Sequence, residues 1–275
     1  MIDGLNRITG AFVGGVNGAL RGASPAVVLL VHSLLIAVLA VAVYAWVSNQ
    51  RTIKVTRNRM IARLLEIRLF GDDPISVLGS FGRVLVATGA YLTASLKPML
   101  FILPIAVLWI GQLAGWFEWR PLSSGESVVV SMKLREEVSP IAQPVSLRVP
   151  AEFIVETPAF RSLDSNEVAW RVKAVRAARG MMKCSAGNVT VEKEITASDS
   201  FAGVSPKRVG DGFWDRVLWP AEKSLAKDSA ISEVRVDYPR RSVRFFGFEI
   251  NWLIALTVAS ILLALVVKKP FGVEF

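Results

Sequence analysis

The chain has 275 residues, of which 52% are hydrophobic and only 20% charged, and its mean hydropathy is +0.45, above the balance of an ordinary water-soluble domain. Its net charge of +9 gathers beside long apolar runs, so it reads as membrane orientation and attraction to anionic lipid rather than a specific nucleic-acid surface. One cysteine, Cys184, excludes an internal disulfide, and one histidine, His32, excludes a Ser-His-Asp triad or a clustered Cys/His metal site in the polar part of the chain.

At the start, Ile2, Leu5, Ile8, Phe12, Val16 and Leu20 recur at helical spacing with Asp3, Asn6, Arg7 and Asn17 between them. That pattern predicts an amphipathic helix lying in the membrane interface within residues 1–25. Ala26–Ser48 follows as a first span, with roughly the 20 apolar residues a bilayer core requires. It is too long for the apolar region of a cleavable signal peptide, and the charge excess comes after it.

Residues 49–98 form a basic loop with eight Lys/Arg, among them Arg57, Arg59, Arg63 and Arg68, against Glu66, Asp72 and Asp73. Gly71-Asp72-Asp73-Pro74 is a turn signal that divides it. Met60, Leu64 and Ile67 make one helical stripe before the turn; Val77, Phe81, Val84, Leu85 and Leu92 make another after it. A helical hairpin is predicted. Its second arm, residues 75–96, is apolar enough to leave re-entry into the membrane open as an alternative. Short loops rich in Lys/Arg stay cytoplasmic, which puts the N-terminus outside, the hairpin inside, residues 118–244 outside and the tail with Lys268 and Lys269 inside.

Met99–Phe117 is the second predicted span, completing a unit over residues 26–117. Residues 118–244 carry 20 basic and 17 acidic groups, a balanced surface. Ser127–Leu134, Val145–Val149, Val168–Val175, Asn188–Ile195 and Glu233–Tyr238 show partial apolar/polar alternation, which predicts an all-β, sandwich-like or barrel-like domain. Phe213–Trp219 reads as a short helix whose aromatics are expected in the β core, with the lipid headgroups as the other seat. A third span is predicted over Phe245–Val267, within residues 245–275. The fold class is thus a three-span α-helical membrane protein with a cytoplasmic hairpin and an external β-domain.

Catalytic signals are sparse. Ser224-Leu225-Ala226-Lys227 fits S-x-x-K, but neither S-D-N nor K-T-G accompanies it, and no glycine loop suited to phosphate is present. No enzyme activity, cofactor or metal is expected. Cys184 is expected to serve as a small buried apolar residue. His32, Gln112, Glu249 and Asn251 are predicted to form an intramembrane polar cluster: His32, Gln112 and Asn251 fall at similar depth in the outer third of the spans, and Glu249, which opens the third span with Asn251, shares one helical face with Thr257 and Ser260. Interhelical hydrogen bonding is the plain reading of that cluster, and a proton or ion path the sharper one. Trp46, Trp109, Trp116, Trp119 and Trp252 are expected in interfacial belts.

The layout resembles the YidC/Oxa superfamily of membrane-protein insertases, with its Get and EMC relatives. The parts that carry the resemblance are Ile2–Leu20, Ala26–Ser48, the hairpin Lys54–Ser95, Met99–Phe117 and Phe245–Val267, with Leu96-Lys97-Pro98-Met99 at the hairpin-to-span junction. Here the β-domain stands between the second and third spans. The resemblance implies a non-enzymatic insertase or assembly factor of a bacterial inner membrane. Its partners would be the lipid bilayer, client membrane proteins and, as a further candidate, the ribosome met by the basic hairpin. The alternatives are an accessory subunit of a larger membrane complex that docks a partner through the β-domain, and an ion or solute channel.

Overall fold

The computed structural model describes residues 2–48, 50–69, 74–245 and 247–272. Seven helices and eleven strands lie in those residues, and the chain divides into two compact units. One comprises Met1–Val28 and Val107–Trp252, the other Leu29–Ala106 and Leu253–Phe275.

The second of these units is helical. It takes most of α2 (Pro25–Val47), all of α3 (Gln50–Leu69) and α4 (Pro74–Leu96), the start of α5 (Met99–Phe117) and nearly all of α7 (Trp252–Val267). Both α2 and α5 are long and apolar enough to cross a bilayer. Along α2, Leu29, His32, Ser33, Ala37, Val41 and Tyr44 are buried while Leu30 and Leu34 are exposed. The helix is apolar on all sides, and its two polar side chains face inward, as suits a helix whose outer side meets lipid. The Ser33 hydroxyl donates to the Leu29 carbonyl at 2.9 Å and lies 3.5 Å from that of Leu256 on α7. Val41, Tyr44 and Ile53 form a small core to which Tyr91, Ile102 and Ala264 add. The arms α3 and α4 pack side by side as a helical hairpin, with Leu85 and Leu92 of the predicted second stripe exposed. The turn at Gly71, Asp72 and Asp73 lies outside the described residues, as do the side chains of Arg63 and Arg68 on α3.

The other unit holds α1 (Ile2–Ala19), the distal part of α5 and a β-sandwich. One sheet runs β3 (Phe153–Val155), β5 (Glu167–Ala174), β1 (Ser127–Leu134), β9 (Ile231–Val236), β8 (Lys207–Val209), with β4 (Phe160–Ser162) also beside β5. The other runs β2 (Val145–Arg148), β6 (Ala178–Ala186), β7 (Val189–Ala197). Alternate residues of both sheets interleave in one core: Val130 and Met132, Val168 and Trp170, Met182 and Cys184, Ile195 and Val234 among them. Burial pushes the Cys184 thiol up to about 12, so it is an inert core residue.

Two expectations change. The predicted third span, Phe245–Val267, is not one helix: β10 (Val243–Phe245) and β11 (Phe248–Ile250) make an antiparallel hairpin, and α7 begins at Trp252. Gly247 at φ +88° permits the tight turn, and Arg244 pairs with Glu249 across it at 3.1 Å. At 1.5 Å per residue the 16-residue α7 extends about 24 Å, shorter than the ~30 Å bilayer core. The other change concerns α6 (Phe213–Leu218), which forms where predicted but does not seat its aromatics in the β core. Phe213 and Trp214 are 57% and 67% exposed.

Candidate functional site

The distal part of α5 is clasped by the β-domain, and two glycines one helical turn apart make that possible. A Cβ on Gly111 would lie 2.7 Å from the Val217 carbonyl oxygen, and one on Gly115 would lie 2.8 Å from that of Val204. Val204 N–H donates to the Gly115 carbonyl at 2.8 Å. Gly203 in turn lies flat on the Trp116 ring, 2.7 Å from where its Cβ would be. Phe201 sits between Trp116 and Phe117, with ring centroids 5.6 and 5.4 Å away, and Phe117 stacks on Trp252 at 6.2 Å. Trp119 packs against Trp219 at 5.6 Å and Trp109 against Phe12 at 5.2 Å. Four of the five tryptophans expected in interfacial belts are therefore packing residues of this joint; Trp46 is 87% exposed.

Helix α1 lies along α5 with its amphipathicity inverted. Asn6, Val13 and Asn17 are buried, while Leu5, Ile8 and Phe12 are exposed. Gln112 donates to the Asn6 carbonyl at 3.1 Å and approaches the Thr9 hydroxyl at 3.4 Å. Gly10 leaves room for the amide, since a Cβ there would lie 3.2 Å from Gln112 Oε1. Asn6 Nδ2 donates to the Arg216 carbonyl of α6 at 2.8 Å. The exposed apolar side chains of α1 and the exposed Phe213, Trp214 and Leu218 of α6 thus belong to adjoining helices.

Between the polar side of α1, the distal part of α5 and the loop 203–224 lies a partly open cavity of about 680 Å³. Arg7 and Asp3 of α1, Arg216 of α6, Arg179 of β6 and Lys223 contribute charge to its wall. Behind its lining residues Ser205 and Glu222 lies an ion pair inside the sandwich. Lys193 occupies a core-facing position of β7, fully buried, and donates to Glu222, to the Ser205 carbonyl at 2.6 Å and to the Glu194 carbonyl at 3.2 Å. Burial holds the Lys193 ammonium below the usual lysine range, against the pull of Glu222. The second Glu222 oxygen accepts the Glu194 N–H at 3.2 Å, and the Glu194 carboxylate meets Arg179 at 2.8 Å.

The four polar residues predicted to cluster are divided between the two units, His32 in one and the other three in the other. His32 is buried in the helical unit, Gln112 binds α1, Glu249 is exposed on β11 paired with Arg244, and Asn251 is exposed ahead of α7. The hairpin β10–β11 takes Glu249 off the helical face predicted for it; Thr257 and Ser260 remain on α7 and donate back to the carbonyls of Leu253 and Leu256. Interhelical hydrogen bonding is realised by Gln112, with α1 as its partner. Of the basic hairpin residues, Arg57 is partly buried and Arg59 exposed on α3. The Ser224/Lys227 pattern lies in an irregular segment where the Lys227 ammonium meets Asp211 at 3.6 Å. No group of His, Cys, Asp and Glu able to hold a metal occurs among the described residues.

Sequence reasoning missed the cavity because its walls come from residues 3–11, 112–116, 179–194 and 203–224. One local signal was legible: a lysine between Val191 and Ile195 in the apolar register of a strand requires a buried partner. Comparison with family models, with curated proteins and with solved structures finds no match to this chain.

Proposed function

We propose that the protein is a non-enzymatic membrane-protein assembly factor of YidC/Oxa type, with α2, α5 and α7 as its three membrane helices. The observation that carries the reading is the hairpin between the two long apolar helices. Its arms leave Val55, Ile61 and Leu65 of α3 and Leu85, Val86 and Leu92 of α4 exposed, beside the cations Arg57 and Arg59. Apolar side chains exposed in such number serve a lipid surface or an apolar client. A hairpin of this kind, held at the cytoplasmic face of an inner membrane, can shield an apolar segment before it partitions into lipid. Lys/Arg asymmetry supports the orientation, with the β-domain outside.

A specific observation favours the accessory-subunit reading as the second. Ile141, Ile154, Phe160 and Leu163 are exposed around the β5 edge, where β3 and β4 pair and Arg161 donates to the Ile141 carbonyl. An apolar sheet edge of this kind suits a protein partner. Purification from native membrane separates the two: ribosomes and nascent chains support the assembly factor, whereas one stoichiometric partner complex supports the subunit.

A further inference from the structure

The cavity behind α1 has more positive than negative charge left uncompensated. Glu222 is neutralised by Lys193 and Glu194 by Arg179, while Asp3 lies 3.8 Å from Arg216. Arg7 and Lys223 have no ion-pair partner among the described residues.

We propose that this cavity binds the headgroup of an anionic phospholipid, its phosphate held by Arg7, Arg216 and Lys223. Guanidinium groups match the oxygens of a phosphate in a way that a single ammonium does not. Position selects a lipid as the source. The wall that carries Asn6 and Arg7 is the inner side of α1, and the opposite side of the same helix exposes Leu5, Ile8 and Phe12. Acyl chains can therefore run over α1 while the headgroup turns inward beside it. A volume of about 680 Å³ falls in the usual range for small-molecule sites of about 300–1,000 Å³. The inference needs only that α1 lie against lipid, and it stands whether the protein is an assembly factor or a subunit.

The test is native mass spectrometry of the full chain, released from nanodiscs containing equal phosphatidylglycerol and phosphatidylcholine. Wild type should retain one phosphatidylglycerol per chain. The double variant Arg7→Gln/Lys223→Gln should retain it about tenfold less, at unchanged circular dichroism. Arg148→Gln, which removes an exposed cation of β2 outside the cavity, should bind as wild type. Adding glycerol 3-phosphate in excess decides the source. Retention despite it supports the lipid, and displacement by it overturns the lipid assignment in favour of a soluble phosphate ester. Equal retention by wild type and the double variant, or no selective retention by wild type, overturns the site.

Discussion

Gly115 and Val204 touch backbone to backbone: the Val204 N–H donates to the Gly115 carbonyl at 2.8 Å, and a methyl on Gly115 would sit 2.8 Å from the Val204 carbonyl oxygen. A helix of membrane-spanning length is thereby gripped by a loop of the β-domain. Gly115→Val should force the loop off the helix and destabilise the joint by about 1–3 kcal/mol, the usual range for overpacking. Gly14→Ala on α1, which meets open space, should be neutral or slightly stabilising. Thermal denaturation in detergent reads both; equal melting for Gly115→Val and wild type would remove the grip from the account.

The Lys193–Glu222 pair should behave as a buried pair does. Removing one partner, as in Glu222→Gln, leaves a charge in the core and should cost about 3–5 kcal/mol. The double variant Lys193→Met/Glu222→Leu should recover most of that loss, because a packed apolar replacement leaves nothing unpaired. Urea denaturation of single and double variants gives the comparison, and additive losses would show that the two residues act independently.

Acid should loosen the connection where α5 passes into the sandwich. The Arg120 guanidinium donates both its terminal nitrogens to Glu126 at 2.8 Å, and with the Ser123 N–H it holds that carboxyl below the ordinary carboxylate value of about 4.5. A carboxyl with a depressed folded-state pKa contributes stability above its unfolded pKa and loses it as pH falls through the folded value. Wild type should therefore lose stability as pH drops below about 4.5, and Glu126→Gln should lose less over the same interval. The pair is partly solvent-exposed, so the difference should be small and should shrink with added salt.

Orientation is testable with two thiols. Cys184 is buried and should not react in the folded protein, which leaves the background clear. In intact cells with a permeable outer envelope, Ser124→Cys should be labelled by a membrane-impermeant maleimide, and Asn58→Cys only after the inner membrane is opened. The opposite pattern would invert the topology read from Lys/Arg asymmetry.

Much of this architecture was legible in the sequence, and what was not has physical reasons. The five alternating runs all became strands, since alternation reports a half-buried sheet directly. Strand β6 escaped notice although it pairs along its whole length with β7, because Ala178, Gly180, Cys184 and Ala186 are too small to stand out as an apolar face. The run from Phe245 looked like the start of a span because hydropathy does not register a turn at Gly247 or a cross-strand pair such as Arg244–Glu249. Trp109, Trp116 and Trp252 looked interfacial because an aromatic near a span end reads alike whether it meets lipid or another ring. Cavity residues were invisible for a different reason: Arg7, Gln112, Arg216 and Glu222 line one cavity only through tertiary folding.

The most direct measurement of the proposed function places a photocrosslinking amino acid at Leu85 or Val86, exposed on α4, during synthesis of a membrane protein in the same cells. The assembly-factor account predicts crosslinks to nascent apolar segments that decline once synthesis is complete, and their loss in Arg63→Gln/Arg68→Gln protein that still accumulates normally. Crosslinks to a single mature partner, unchanged when synthesis is stopped, would contradict it.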